Sequence, residues 1–353
     1  MEVLNSGWLT GGPAVTAFER DLSTYCSGRT VRAVSSGTAA LEIALRLANI
    51  GPGDKVLTTP LTWAATANVI VSVGAQPMFV DVDQVTRLID LDAASRCYDN
   101  AVKALMPVDL AGLPVDRAQT YALANSRGWR VIEDAAQSLG ASSAGVQIGS
   151  TGDFIAFSFH ANKNVTAGEG GALVLPLDCD PALCERWRLQ GVMRGHDGRC
   201  DIDLPGMKAN LSDIAAAIGR VQLSQVQTIT AHRRSLAQLY FEALPVNMGL
   251  ELPQADLCQS NWHLFQVLLP RGIDRGKFME AMRAEGIGVG VHYWPVHMTT
   301  LYRSYGYEEG DFPIAEDIGW RTVSLPLFNA MQAGDVVRVG KAMKKVLTHM
   351  RPG

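Results

Sequence analysis

From Val31 onward, short uninterrupted apolar runs alternate with stretches in which apolar residues return every third or fourth position, as strands alternating with amphipathic helices would. The run Val31 to Val34 leads into a small-residue turn, Ser35, Ser36, Gly37 and Thr38. From Ala39 to Leu47 and just beyond, Leu41, Ala44, Leu45 and Ala48 then fall at helical spacing. The same reading predicts strands over Lys55 to Thr59, Met78 to Val82, Lys103 to Val108 and Arg130 to Glu133. Helices are predicted over Trp63 to Val73 and Arg117 to Arg127, with an earlier one from Ala14 to Tyr25 behind a Gly/Pro-bearing arm. Such alternation calls for a parallel sheet covered on both faces. Two further strands, Phe154 to Phe159 and Ala172 to Leu175, bracket a loop.

Beyond about residue 177 the chain becomes more charged and helical, over Pro181 to Arg194 and Ser212 to Ala243. Ser212 is a good N-cap, Asp213 sits where the helix dipole favours an acid, and Ile214, Ile218, Val221 and Leu223 form an apolar stripe. Strand-like segments at Leu264 to Pro270 and Val289 to Tyr293, a helix at Arg275 to Glu285 and a closing helix at Ala333 to Met350 predict a smaller α/β unit. The expected organisation is a large domain over 1–225 and a small one over 226–353.

Composition narrows the partners. With 353 residues, 47% of them hydrophobic, the chain can bury a large core. The net charge of -4, from 31 basic and 35 acidic residues without long runs, leaves no electrostatic footprint for nucleic acid or an anionic membrane and favours a small molecule. Six cysteines without a CxxC pair indicate neither a zinc site nor a disulfide framework. No basic segment precedes an apolar run at the start, and no apolar stretch is long enough to span a bilayer, so a soluble cytoplasmic protein is expected.

The bracketed loop, FSFHANKNVTAGEGG, crowds Ser158, His160 and Lys163 ahead of a glycine-rich turn. A lysine at such a strand-end loop lies where open parallel sheets bind ligands, and as a free amine it can attack a carbonyl. Gly37, Thr38 and Ala39 start a helix whose N–H groups suit a phosphate, or they form a plain capped turn. Asp134 follows the strand residues Val131 and Ile132, and Gln137 lies three positions on; each is a ligand contact or a local cap. Trp63 is an aromatic able to cover a ring, or a core residue. Phosphate, carboxylate partner and lysine-reactive carbonyl together describe pyridoxal phosphate. The GxGxxG opening of a dinucleotide fold and a Walker lysine are absent from the sequence. His292 and His297 lack a third ligand and an HExxH helix, so no metal is expected.

Nearly end to end, the chain resembles the DegT/DnrJ/EryC1/StrS sugar aminotransferases. The resemblance is carried in order by WLTGGPAVTAFE, AVSSGTAALEIAL, PLTWAATANVIVSVGAQPMFVDVD, VIEDAAQSLGA, FSFHANKNVTAGEGGALV, GMKANLSDIAAAIGRVQL, VGVHYWPVH and VSLPLF. It implies an α/β transferase of pyridoxal-phosphate fold type I, with a mostly parallel large domain and a smaller C-terminal α/β domain. It further implies Lys163 as the Schiff-base lysine, Asp134 as partner of the pyridine nitrogen and Gln137 as a contact near the ring hydroxyl. Gly37, Thr38, Ala39 and Ser158 would hold the phosphate, and Trp63 would stack on the ring. His160, His292, Tyr293 and His297 are candidates for substrate contact. The family's homodimers borrow an active-site residue from the partner's loop, here Lys208 to Asn210, and either Lys208 or Asn210 could reach the phosphate. That pair looks like the subgroup that aminates a UDP-4-keto-pentose, although Ala209 stands where the subgroup has an aromatic. The expected substrates are glutamate (yielding 2-oxoglutarate) and a nucleotide-linked keto sugar. The rival roles within the family are a sugar dehydratase, whose members carry histidine in place of the lysine, and a non-catalytic regulator.

Overall fold

The computed structural model describes residues 1–195 and 197–350. Seven strands make the central sheet: β1 (Val31–Val34), β2 (Lys55–Thr58), β3 (Gln76–Phe79), β4 (Val102–Met106), β5 (Arg130–Asp134), β6 (Phe154–Ser158) and β7 (Gly171–Val174). Their order across the sheet is β1-β7-β6-β5-β4-β2-β3. Strand β7 runs antiparallel to both its neighbours, and the pairs β6–β5, β5–β4, β4–β2 and β2–β3 are parallel. The predicted α/β sheet is therefore present, with one reversed strand created by the short turn that brings the chain back after the lysine loop.

Helices cover both faces because successive strand side chains alternate. Ile155 and Phe157 of β6 pack with Val15, Phe18 and Leu22 of α1 (Pro13–Tyr25). Phe154 and Ala156 point the other way, into the layer of Ile43 and Leu45 from α2 (Gly37–Leu47) and Val69 and Ile70 from α3 (Ala64–Ser72). α4 (Arg117–Arg127) is capped by Asp116 and stopped by Gly128 in the left-handed conformation, and leads straight into β5. The helix α5 (Pro181–Arg188) is shorter than the predicted stretch to Arg194. Gly191, at φ 72°, turns the chain there into a hairpin of 192–194 with 200–202.

The predicted helix Ser212 to Ala243 is two helices, α6 (Asp213–Leu223) and α7 (Val226–Ala243), with the break at Ser224 and Gln225. Ser212 caps α6 through the Ala215 N–H at 3.2 Å. Asp213 does more than favour its own dipole: fully buried, it accepts from the N–H groups of Gly12, Ala14 and Val15 at 2.6, 2.7 and 3.2 Å. It thereby satisfies the orphan donors at the start of α1 and fastens the N-terminal arm.

Helix α7 starts in the core of the large sheet through Val226 and Ile229 and ends, through Leu236 and Tyr240, in a separate C-terminal core. That core gathers β8 (Phe265–Leu268), α8 (Arg275–Ala284), β9 (Thr322–Leu325) and the closing helix α9 (Ala333–Met350). Strand β8 pairs antiparallel with β9, Phe265 opposite Leu325. The segment Val289 to Tyr293, expected as a strand, contributes only the bridge of Gly290 to Ser324 and passes on towards the sheet.

One glycine shows how tightly the lysine loop seats on α2. A Cβ on Gly171 would lie 2.4 Å from the carbonyl carbon of Ser36 and 2.6 Å from the Gly37 nitrogen. Replacing Gly171 by alanine should cost about 1–3 kcal/mol in denaturant unfolding, the usual range for overpacking. Gly334→Ala, where nothing lies within 4 Å of the added carbon, should stay within about 0.5 kcal/mol of the unsubstituted protein.

Candidate active site

Several of the side chains singled out in the sequence gather at the carboxyl ends of the parallel strands, where such sheets leave a crevice. Asp134 closes β5, 7% exposed, with its carboxylate aimed at α3. Its Oδ2 accepts the Thr66 hydroxyl at 2.7 Å, and its Oδ1 accepts the Ala136 N–H at 3.2 Å. Burial raises the affinity of Asp134 for a proton, while the Thr66 hydroxyl, the Ala136 N–H and the Lys163 ammonium act in the opposite direction.

Lys163 is carried on the turn that follows β6, its own N–H bonded to the His160 carbonyl at 2.9 Å. Burial pushes its amine down to about 8, with Asp134 opposing the shift. Near neutral pH a useful fraction of the amine is unprotonated and nucleophilic. The His263 and His292 imidazoles share this region and are both held below the ordinary histidine value, first by burial and then by the Lys163 charge.

Across the crevice, Ser36 caps α2 by accepting the Ala39 N–H at 3.1 Å. The Ala39 N–H is thus engaged within the chain. The N–H groups of Gly37 and Thr38 have no helical carbonyl to reach, and they lie at the positive end of the helix dipole. The side chain of Thr38 is exposed beside them. A Cβ on Gly37 would come within 3.0 Å of the Ser158 Cβ, so the helix start and the end of β6 form one cradle.

Trp63 is the N-cap position of α3 and stands 63% exposed, its ring 5.9 Å from that of Tyr293. Gln137 accepts the Ala111 N–H at 2.7 Å and donates to the Tyr293 hydroxyl at 2.9 Å. Tyr293 thus joins the C-terminal part of the chain to the β5 loop. His292 is turned towards Ser324, with 2.8 Å between Nδ1 and Oγ.

The other candidates lie apart. His160 is exposed, with Nδ1 2.8 Å from Asn162 Oδ1 and Nε2 3.6 Å from Glu169, so its ring is engaged at the rim of the loop. His297 is fully buried, paired with Glu316 at 2.9 Å and packed edge-on against Phe312, which makes it a packing residue here. Lys208 bonds Asn210, and Asn210 donates to Thr10 at 3.0 Å, on the surface beside β1. Ala209 between them is buried, its carbonyl accepting the Ser35 N–H at 2.7 Å.

The residues that tie these loops together were not among those expected from the sequence. Asn261, 1% exposed, donates to the carbonyls of Gln137 and Leu139 at 2.9 and 2.8 Å and takes the Asn164 amide on its own carbonyl at 3.2 Å. Asn164, next to Lys163, also lies 3.2 Å from the His263 ring and accepts from Asn329 at 3.1 Å. No local pattern marks these positions, because their partners lie 97 to 165 residues away in the chain.

The residues fit pyridoxal phosphate. A buried carboxylate suits a protonated pyridine nitrogen, a depressed amine suits an aldehyde, a glycine-lined helix start suits a phosphate, and an exposed tryptophan suits a ring. Fold and site together define a pyridoxal-phosphate enzyme of fold type I. The chain belongs to the DegT/DnrJ/EryC1/StrS aminotransferase family, whose profile matches residues 1–344. It is 36% identical to the spore coat polysaccharide biosynthesis protein SpsC of Bacillus subtilis, over 98% of this chain and 92% of that one. The putative sugar aminotransferase Spr1654 of Streptococcus pneumoniae, in its pyridoxamine-phosphate form, superposes with a TM-score of 0.94 at 27% identity, covering 99% of this chain and 96% of that one. The same protein is known in a pyridoxal-phosphate form, at a TM-score of 0.93. Helicobacter pylori PseC, an aminotransferase involved in the biosynthesis of pseudoaminic acid, superposes at a TM-score of 0.91 with 25% identity, over 99% of this chain and 95% of that one. The cofactor is pyridoxal phosphate.

Because the folded-state value of Lys163 lies below that of an unfolded lysine, the unfolded chain binds the extra proton between pH of about 8 and about 10.4. The lysine's contribution to stability therefore rises with pH through that window. Competitive acetylation of the cofactor-free protein should show Lys163 gaining reactivity with a midpoint near 8. Exposed lysines should follow about two units higher.

Proposed function

We propose that this chain moves an amino group from glutamate to a nucleotide-linked keto sugar, in a ping-pong transamination. A 4-keto sugar on UDP is the favoured acceptor. The observation that carries the reading is the placement of a partly neutral Lys163 near a buried Asp134, with the Gly37 and Ser158 cradle across the same crevice. When bound, pyridoxal phosphate supplies an electrophilic carbonyl and an electron sink.

The chain's own residues do the rest. Lys163 holds the cofactor between turnovers and, once free, takes a proton from the substrate carbon and returns it, which requires a neutral amine. Asp134, whose ionised form the Thr66 hydroxyl and the Ala136 N–H favour, would partner the ring nitrogen and hold a proton there. Gly37, Thr38 and Ser158 hold the phosphate, Trp63 covers the ring, and Gln137 fixes Tyr293 at the crevice wall. His292 and Tyr293 are the substrate-side contacts that this placement favours over His160 and His297.

A homodimer completes this reading. Trp8, Ile214, Ile218 and Val221 are 58%, 41%, 46% and 59% exposed and lie around one large surface cavity on the outer side of α1 and α6. A second copy would cover that face, and in this reading Lys208 or Asn210 reaches across to the neighbour's cofactor phosphate. The division into 1–225 and 226–353 is retained as the domain reading, with α7 shared between the two cores. SpsC is named for polysaccharide biosynthesis and PseC for the biosynthesis of pseudoaminic acid, and both support a sugar acceptor. The retained lysine disfavours a dehydratase, and the intact set of Lys163, Asp134 and Gln137 disfavours a purely regulatory role. No helix among the described residues is long and apolar enough to cross a membrane, which accords with a soluble, cytoplasmic enzyme.

Glutamate added to the holoprotein should bleach the visible band of the lysine-bound cofactor, and one member of a panel of nucleotide-linked 3- and 4-keto sugars should restore it. A band untouched by glutamate contradicts transamination. Restoration by none of the panel contradicts the sugar acceptor.

A further inference from the structure

Asp134 is held by a pair of hydroxyls in series. Thr66 Oγ1 lies 2.7 Å from Asp134 Oδ2, and Thr62 Oγ1 lies 2.8 Å from Thr66 Oγ1. Thr62 and Thr66 are buried, at 2% and 0% exposure, the one just before α3 and the other in its first turn. An ionised carboxylate can only accept, so the single Thr66 proton goes to Asp134. The Thr66 oxygen is then left as the acceptor for the Thr62 hydroxyl. The direction of the chain Thr62 to Thr66 to Asp134 is fixed by this count, and each bond polarises the next.

We propose that Thr66 and, through it, Thr62 are positioning residues that keep the Asp134 carboxylate ionised and aimed so that its remaining lone pairs serve the cofactor's ring nitrogen. This deepens the reading of Asp134 given above and rests on it. Besides the Ala136 N–H at 3.2 Å, four groups bear on the charge at this point. Lys163 favours the anion. Asp109, which donor groups of Ser138 and Val115 engage at 2.5 and 2.9 Å, carries a like charge nearby. Tyr293 faces Asp134 from the C-terminal part of the chain, where burial and the Asp134 charge keep its phenol protonated. The Thr66 hydroxyl is a fixed donor among them, and it does not titrate. The same turn of α3 places Trp63, so one short segment sets both the ring cover and the charge partner of the ring.

The holoprotein carries the test. Thr66→Val keeps the shape and removes the donor, Thr66→Ser restores it, and Thr62→Val removes only the outer hydroxyl. In each, the pH titration of the visible cofactor band and the dissociation constant for pyridoxal phosphate are measured.

For Thr66→Val, the midpoint should rise by about one pH unit and binding should weaken by about tenfold, the scale of a lost hydrogen bond to a charged group. The midpoint rises because a ring nitrogen that has lost its proton no longer opposes the positive charge at the lysine end. Thr66→Ser should return to within about twofold of the unsubstituted protein, and Thr62→Val should shift in the same direction by about a third as much. A Thr66→Val protein with an unmoved midpoint and affinity, or a Thr66→Ser protein that behaves like it, overturns the relay. Should Thr66→Val not fold, Thr62→Val decides alone, and an unmoved midpoint there overturns the proposal. If the unsubstituted protein forms no visible band with pyridoxal phosphate, the lysine and carboxylate assignment falls first and the relay falls with it.

Discussion

A buried carboxylate and a half-buried amine at the end of one sheet are costly unless a ligand or a partner stabilises their charges. Asp134 and Lys163 stand in that position, and the architecture around them resolves the tension without a tight ion pair. Hydrogen bonds from Thr66 and Ala136 hold the acid, and burial drives the amine towards its neutral form. The pair presents an acid and an amine, with burial working against both charges and the Thr66 and Ala136 donors favouring the Asp134 anion. A ring that carries a proton at one end and an aldehyde at the other matches that polarity.

Everything else serves to keep these groups in register. The parallel strands β5 and β6 deliver Asp134 and the lysine loop from adjacent positions in the sheet. The reversed strand β7 returns the chain beneath α2, where Gly171 lets the backbone pass close to Ser36. Asn261 and Asn164 then bolt the C-terminal part to both loops through buried hydrogen bonds. Buried polar networks of this kind are worth keeping only when complete, because a half-made one leaves desolvated donors behind.

Much of this was legible in the sequence, for a physical reason. Strands buried on both faces read as unbroken apolar runs, so β4 to β7 lie close to their predicted limits. Asp134, Lys163 and the Gly37 turn stand out as candidates because parallel sheets bind ligands at strand ends, and the structure places them at or just beyond such ends. The misreadings are equally instructive. The pattern from Ser212 to Ala243 is broken at Ser224 and Gln225, and of the stripe read for its first half only Leu223 is buried, while Ile214, Ile218 and Val221 face outward. Val289 to Tyr293 reads as a strand because it is largely apolar, yet only Gly290 pairs, with Ser324 on the side of β9 away from β8. His297 drew attention as a histidine in a motif, but Glu316 and Phe312 give it a wholly internal role. Asn261, Thr66 and His263 carry no local signal because their meaning lies in contacts distant along the chain.

The central claim is that the cofactor is joined to one amine among many. Reducing the holoprotein with borohydride, digesting it and mapping the labelled peptide by mass spectrometry tests this most directly. A phosphopyridoxyl group is expected on Lys163 alone, in the peptide that also contains Asn162 and Asn164. Label on a different lysine, or spread over several exposed ones with Lys163 unmodified, would contradict it.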